Sequence, residues 1–289
     1  MFDYFEFGKL LLCVSGHLDS PVWVSIDRTN WKFGKRKINF LVIGIVFRRI
    51  SIPIVWCMLD KQGNSNSSER IALLKKALKI IPKDKILGIL ADREFVGEEW
   101  FHYLLQLQLP YVIRLKENRI AEFEDGSTIQ LKHLFKGLQK GRKSKAFHNV
   151  RLGEHLTNIK AKRLDDGTLM IVAFSGIKNV CPIATYRKRW TIETTFSCMK
   201  KRGFNLEDTH MTDLNKLKKL FAIVSLAVVW AVKIGTFLQK DKIKKHGYRE
   251  NSDFHLGKNT IIQKLLLHDI PIISTPYLQL YGGVNTHVV

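Results

Sequence analysis

Apolar residues fall along the chain in two rhythms. Near-continuous runs rich in β-branched and aromatic residues at 21–26, 38–47, 50–59, 86–91 and 111–115 predict short strands, and the unbroken character of the middle three predicts burial on both faces. Between the third and fourth runs, Ile71, Leu74, Leu78 and Ile81 recur at helical spacing. Ser65, Ser67 or Ser68 is placed to cap that helix, Glu69 lies in its first turn, and Pro82 closes it. A second helix is expected over 97–108. The resulting order is β-β-β-α-β-α-β, with short turns making the first three strands an antiparallel meander. The first strand runs into Asp27 and the fourth into Asp92, so if those strands are neighbours their two carboxylates lie side by side.

From 117 to 182 the pattern turns basic, polar and alternating. Asn158 to Leu164 and Leu169 to Phe174 flank Asp165, Asp166 and Gly167 as a hairpin. One helix is expected over 183–202 and a longer one over 213–238. The chain therefore divides into a short N-terminal segment (1–20), a first core part (21–116), a β-strand insertion (117–182), a second core part with the last site helix (183–240) and a basic tail (241–289). The fold class is α/β, a mixed sheet flanked by helices.

Charge narrows the choice of partner. With 47 Lys and Arg against 26 Asp and Glu, the formal net charge is +21. Each phosphate neutralised by a cation releases a condensed counterion, so such an excess favours a polyanion. Much of it is concentrated: 132–163 holds ten Lys and Arg and one acid, and 186–249 holds fifteen against five. Ribosomal or membrane-surface proteins share such a balance, so charge names a partner class and no reaction. Cys13, Cys57, Cys181 and Cys198 are far apart and form no C-x-x-C pair, which points to reduced thiols in a cytoplasm. The longest apolar run, 220–232, is well short of the ~20 residues of a spanning helix and reads as a buried helix, so no membrane is expected. The ten histidines show no H-E-x-x-H spacing, and no phosphate-cradling G-x-x-x-x-G-K loop is present.

Phosphodiester chemistry with Mg²⁺ needs hard oxygen ligands from a few carboxylates. Asp27 and Asp92 at strand ends and Glu193 on a later helix form such a set. Taken singly, an Asp after a strand is more often a turn residue or helix cap. The helix around Glu193 is more specific. Tyr186, Arg189, Glu193 and Lys200 are spaced by three, four and seven, which places them within about a 60° arc at helical pitch. Ile192, Phe196 and Met199 occupy the adjacent arc, where a core-facing stripe belongs. The acid suits a metal ion and the two cations suit phosphates on either side of it. A solvated face with an (i, i+4) ion pair between Arg189 and Glu193 is the plainer alternative.

In these residues the sequence resembles the DDE transposases of bacterial insertion sequences, in the insertion-sequence-four family. Tyr186-x2-Arg189-x3-Glu193-x6-Lys200 matches that family's signature in full, and the blocks 26–31 (Ile-Asp-Arg-Thr-Asn-Trp) and 91–97 (Ala-Asp-Arg-Glu-Phe-Val-Gly) resemble its segments around the first two catalytic aspartates. The resemblance spans about 22–232. It implies a ribonuclease-H-like fold and cut-and-paste transposition, with Asp27, Asp92 and Glu193 as catalytic metal ligands for Mg²⁺, which Mn²⁺ would replace. It further implies that Tyr186, Arg189 and Lys200 contact the DNA, joined by the nearby cations Arg28, Arg93, Lys201 and Arg202. Double-stranded DNA at element ends and target is the implied partner, bound by a homodimer in a synaptic complex. Some relatives stack a flipped base on a tryptophan of the insertion; none is present at 117–182, where Phe147 and Phe174 are the aromatics available. Relatives also carry a helical DNA-binding region ahead of the first aspartate, and the 26 residues before Asp27 lead to the expectation of an N-terminally shortened copy. An inactive DNA-binding remnant, a nuclease without joining activity and a basic structural protein stand as rival readings.

Overall fold

A computed structural model describes residues 2–33, 36–238 and 251–267. The expected tail over 241–289 lies outside the described residues except for 251–267. In chain order the elements are α1 (Tyr4–Ser15), β1 (Val22–Phe33), β2 (Arg36–Phe47), β3 (Ile50–Met58), α2 (Ser67–Ala77), β4 (Ile86–Ala91), α3 (Glu98–Gln106) and β5 (Tyr111–Arg114). They continue through β6 (Ile120–Glu122), β7 (Thr128–Gln130), α4 (Leu131–Leu134), β8 (Lys145–Leu152), β9 (His155–Arg163), β10 (Leu169–Ser175), α5 (Pro182–Tyr186), α6 (Trp190–Lys200), α7 (Leu214–Leu238) and α8 (Asp253–Leu266).

Ten strands form one sheet in the order β3-β2-β1-β4-β5-β10-β9-β8-β6-β7. The first three are the expected antiparallel meander, and β4 and β5 add parallel to β1. This mixed 3-2-1-4-5 core is ribonuclease-H-like. The strands of 117–182 do not form a separate body, because β10 pairs directly with β5 and carries the rest of the insertion onto the core sheet. β3 is the free edge of the core, the place where Pro53, which has no N–H to donate, is tolerated. Opposite it, the β2–β3 register shifts at Gly44, where a Cβ would come within 2.5 Å of the Ser51 hydroxyl.

Core packing follows the apolar runs. Trp31, Phe40 and Phe221 stack in series at 5.6 and 4.8 Å, tying β1, β2 and α7 together. The run read as a buried helix extends into the 25-residue α7, long and apolar enough by composition to cross a membrane. Its stripe of Leu217, Phe221, Val224, Val228 and Val232 is nevertheless buried against α1, β3, α6 and α8.

Three local expectations are corrected. The helix expected at 71–81, α2, is capped by Asn66, whose side chain accepts from Glu69 N–H while Glu69 reaches back to the Asn66 N–H, so the reciprocal bond outcompetes the neighbouring serines. That helix ends at Ala77, ahead of Pro82. The single helix expected over 183–202 is α5, then a 3₁₀ turn at Arg187–Arg189, then α6.

Candidate active site

Backbone pairing places the two aspartates. β1 and β4 run parallel with Ile26 opposite Ala91, so Asp27 follows one residue later within β1 and Asp92 one residue later just past the end of β4. Asp27 does not end its strand, because β1 continues to Phe33 in a hairpin with β2 after β4 has stopped. Asp92 opens a tight turn in which Phe95 N–H donates to the Asp92 carbonyl at 2.9 Å. The third acid arrives on α6, whose Ile192, Phe196 and Met199 are buried as their spacing requires. Thr195 locks that helix to the edge strand: it accepts from Ser51 N–H at 2.9 Å and donates to Ser51 C=O at 2.7 Å.

One guanidinium joins the acids. Arg189, 2% exposed, donates through Nη1 to Asp27 at 2.8 Å, through Nη2 to Glu193 and through Nε to the Tyr186 hydroxyl at 3.1 Å. The Tyr186 hydroxyl in turn donates to Asp92 at 3.0 Å. Tyr186 and Arg189 are therefore buried among their partners, which the helical wheel alone does not reveal. Glu193 keeps half of its side chain in solvent. Lys200 bonds the Asn30 carbonyl at 2.8 Å and pairs with Glu207. Asp27, Asp92, Arg189, Glu193 and Lys200 line one open pocket of about 330 Å³, together with Arg28, Thr29, Asn30 and Phe196.

Other cations singled out in the sequence are placed differently. Arg28 grips Glu94 with two bonds of 2.7 and 3.0 Å and also donates to Asn39 and Asn64. Its backbone N–H donates to Asp27 at 2.8 Å, so this residue ties the Asp27 strand to the Asp92 turn. Arg93 and Lys201 are exposed on the surface, and Arg202 lines a different pocket with Asp253 and Phe254. Phe147 packs edge-on against Phe123 and Phe135, and Phe174 against His148, each half-buried. Arg70 gave no signal in the sequence. It is 3% exposed, donates to the Glu94 carbonyl at 2.8 Å and lies over the Phe95 ring, holding the Asp92 turn from beneath. Trp190, at the start of α6, is 61% exposed, an unusual cost for an indole that hydrophobicity alone assigns to the core.

Electrostatics follow from burial. Desolvation pushes the Asp27 carboxyl up to about 7 against the lowering pull of Arg189 and the Arg28 N–H, with Glu94 and Glu193 adding to the rise. Burial lowers the Arg189 guanidinium, yet Tyr186, Asp27, Glu193 and Asp92 more than offset it and the net shift is upward. Tyr186 is raised, first by burial. Three carboxylates are the hard oxygen donors a divalent cation takes. Among the described residues no three His, Cys, Asp or Glu side chains stand close enough to hold an ion as arranged, because Arg189 sits between Asp27 and Glu193.

The sequence model of the transposase DDE domain family matches residues 19–230, most of the chain and a span that contains Asp27, Asp92 and Glu193. The chain belongs to that family. Among solved structures it is similar to a piggyBac transposase synaptic complex with hairpin DNA, at 10% identity and a TM-score of 0.47, covering 93% of this chain. The chain spans 59% of that transposase's length. Among curated proteins there is no significant match.

Proposed function

We propose that this chain is the catalytic domain of a DNA transposase of the insertion-sequence-four kind. In this reading it cleaves duplex DNA at the ends of a mobile element and joins the freed 3′ hydroxyl to target DNA. The observation that carries the proposal is the convergence of Asp27, Asp92 and Glu193 on a single pocket flanked by Arg189 and Lys200. These three acids would hold divalent ions, Mg²⁺ or in its place Mn²⁺, which supply an activated water and stabilise charge at the phosphodiester.

The chain's own groups do the rest. Arg189 balances Asp27 and Glu193. A DNA phosphate is a better bidentate partner for a guanidinium, so its arrival draws Arg189 off the acids and releases them as ligands. Tyr186 keeps Asp92 oriented through its hydroxyl, and Lys200 exchanges Glu207 for a backbone phosphate. Arg93 and Lys201 reach further phosphates, whereas the donors of Arg28 are committed to Glu94, Asn39 and Asn64 and give it a positioning role. Two copies, one at each element end, make up the synaptic pair. Asp92→Ala is expected to abolish Mg²⁺-dependent nicking and strand transfer while nonspecific DNA retention persists. Nicking retained in a clean preparation of that variant would defeat the assignment.

A further inference from the structure

A second cleft of about 470 Å³ opens between the insertion and the segment that leads into α6. Its walls carry Arg142 and Lys143 from the loop before β8, Lys162 from β9 and Arg187 from the 3₁₀ turn, and no acid lines it. Ile183 and Ala184 of α5 add an apolar side.

The cluster gathers four cations around one concavity whose lining contains no carboxylate. Among the described residues no ion pair within 4.0 Å engages Arg142, Lys143, Lys162 or Arg187. Four like charges kept together without counter-charge raise the energy of the free protein unless a polyanion relieves them. A cleft with cations at the rim and aliphatic groups beside them matches a sugar-phosphate backbone, whose phosphates take the cations while the deoxyribose rests on carbon.

Position strengthens the assignment. Arg187 lies two residues before Arg189, which holds Asp27, and six before Glu193. A backbone seated in the cleft is thus fixed to the same short turn that carries the acid pocket.

We propose that this cleft is a phosphate-binding track for duplex DNA lying alongside the segment bound at the Asp27–Asp92–Glu193 pocket, an inference that rests on the transposase reading above. The insertion then acts as the second jaw of the DNA site, closing it from the β8–β9 side.

Cys181 gives the test a reporter, since it lines the cleft and is exposed while Cys198 is buried. Duplex DNA is expected to slow maleimide labelling of Cys181 in the unsubstituted protein and to leave labelling of Cys13 and Cys57 unchanged. In parallel, the triple variant Arg142→Gln, Lys143→Gln, Lys162→Gln is expected to bind duplex DNA with a log K versus log salt slope shallower by about 2 to 3. An unprotected Cys181 and an unchanged slope in a protein that does bind duplex DNA would overturn the cleft and leave the transposase reading intact. Protection by RNA of equal length but not by duplex DNA would likewise overturn it. Failure of the unsubstituted protein to retain duplex DNA under any salt would remove the transposase reading as well.

Discussion

Two regions of this sheet bury polar side chains, and they do so with opposite results. Where the insertion joins the core, the Tyr111 hydroxyl bonds His155 at 2.6 Å and Thr157 at 2.7 Å, with Phe101 stacked on the imidazole at 4.4 Å. Tyr111, His155 and Thr157 are all buried, and the cluster carries no net charge when His155 is neutral. Two strands from β5 in the sheet, Asp27 on β1 is mostly sheltered and pairs with the buried Arg189, but their network runs out to a half-exposed Glu193 and an open pocket. A closed neutral cluster fixes two elements to each other. An open charged cluster is held in one arrangement by Arg189 and leaves its acids lining a pocket, where the proposed chemistry would draw on them.

The largest expected break of this comparison is Arg189→Ala. It strips the cation from a buried carboxylate, and a loss of about 3 kcal/mol in urea unfolding is expected. A change within about 0.5 kcal/mol would show that the guanidinium is not the counter-charge described.

The neutral cluster is sensitive to acid instead. Burial, then Arg119 and His102, lowers the His155 imidazole from 6.5 to about 4. Between those values the unfolded chain takes a proton that the folded chain refuses, so this contribution to stability is intact above pH 6.5 and declines as pH falls toward 4. The decline is expected to reach about 3 kcal/mol at most. Stability measured from pH 7 to 4.5 should fall less steeply in His155→Gln, and parallel curves for the two proteins would remove the claim.

A smaller effect sharpens the contrast from the side of the scaffold. Thr195→Val leaves the Ser51 N–H of the edge strand without its partner, and a cost of about 1 to 2 kcal/mol is expected from chemical denaturation. The same variant is expected to lower nicking, because Thr195 sets the helix that carries Glu193. Full activity at reduced stability would separate the lock from the site.

Legibility in the sequence tracked how local the governing forces are. The meander, the two later core strands, the 165–167 hairpin and α7 were all readable because each buries a continuous or periodic apolar surface of its own. The pairing of Asp27 with Asp92 was readable as a consequence of strand order. What was hidden depends on partners far along the chain. Arg189 meets Asp27 across 162 residues, so a surface helix face and a buried network look alike in the spacing of Tyr186, Arg189 and Glu193. The polar stretch from Arg28 to Phe33 hides the second half of β1, whose order comes from pairing with β2. The break at Arg187–Arg189 carries no Gly or Pro of its own, and no pattern in Arg70 announces that it braces the Asp92 turn. The fusion of the insertion onto β5 follows from one strand pair that alternation cannot specify.

The most direct measurement is calorimetric titration of Mn²⁺ into the folded chain, with and without a short duplex, alongside Asp27→Asn, Asp92→Asn and Glu193→Gln. Saturable binding that tightens when duplex is present and is lost in each of the three variants is the expected result. Binding that is indifferent to all three carboxylates would contradict a shared ion site and the functional account built on it.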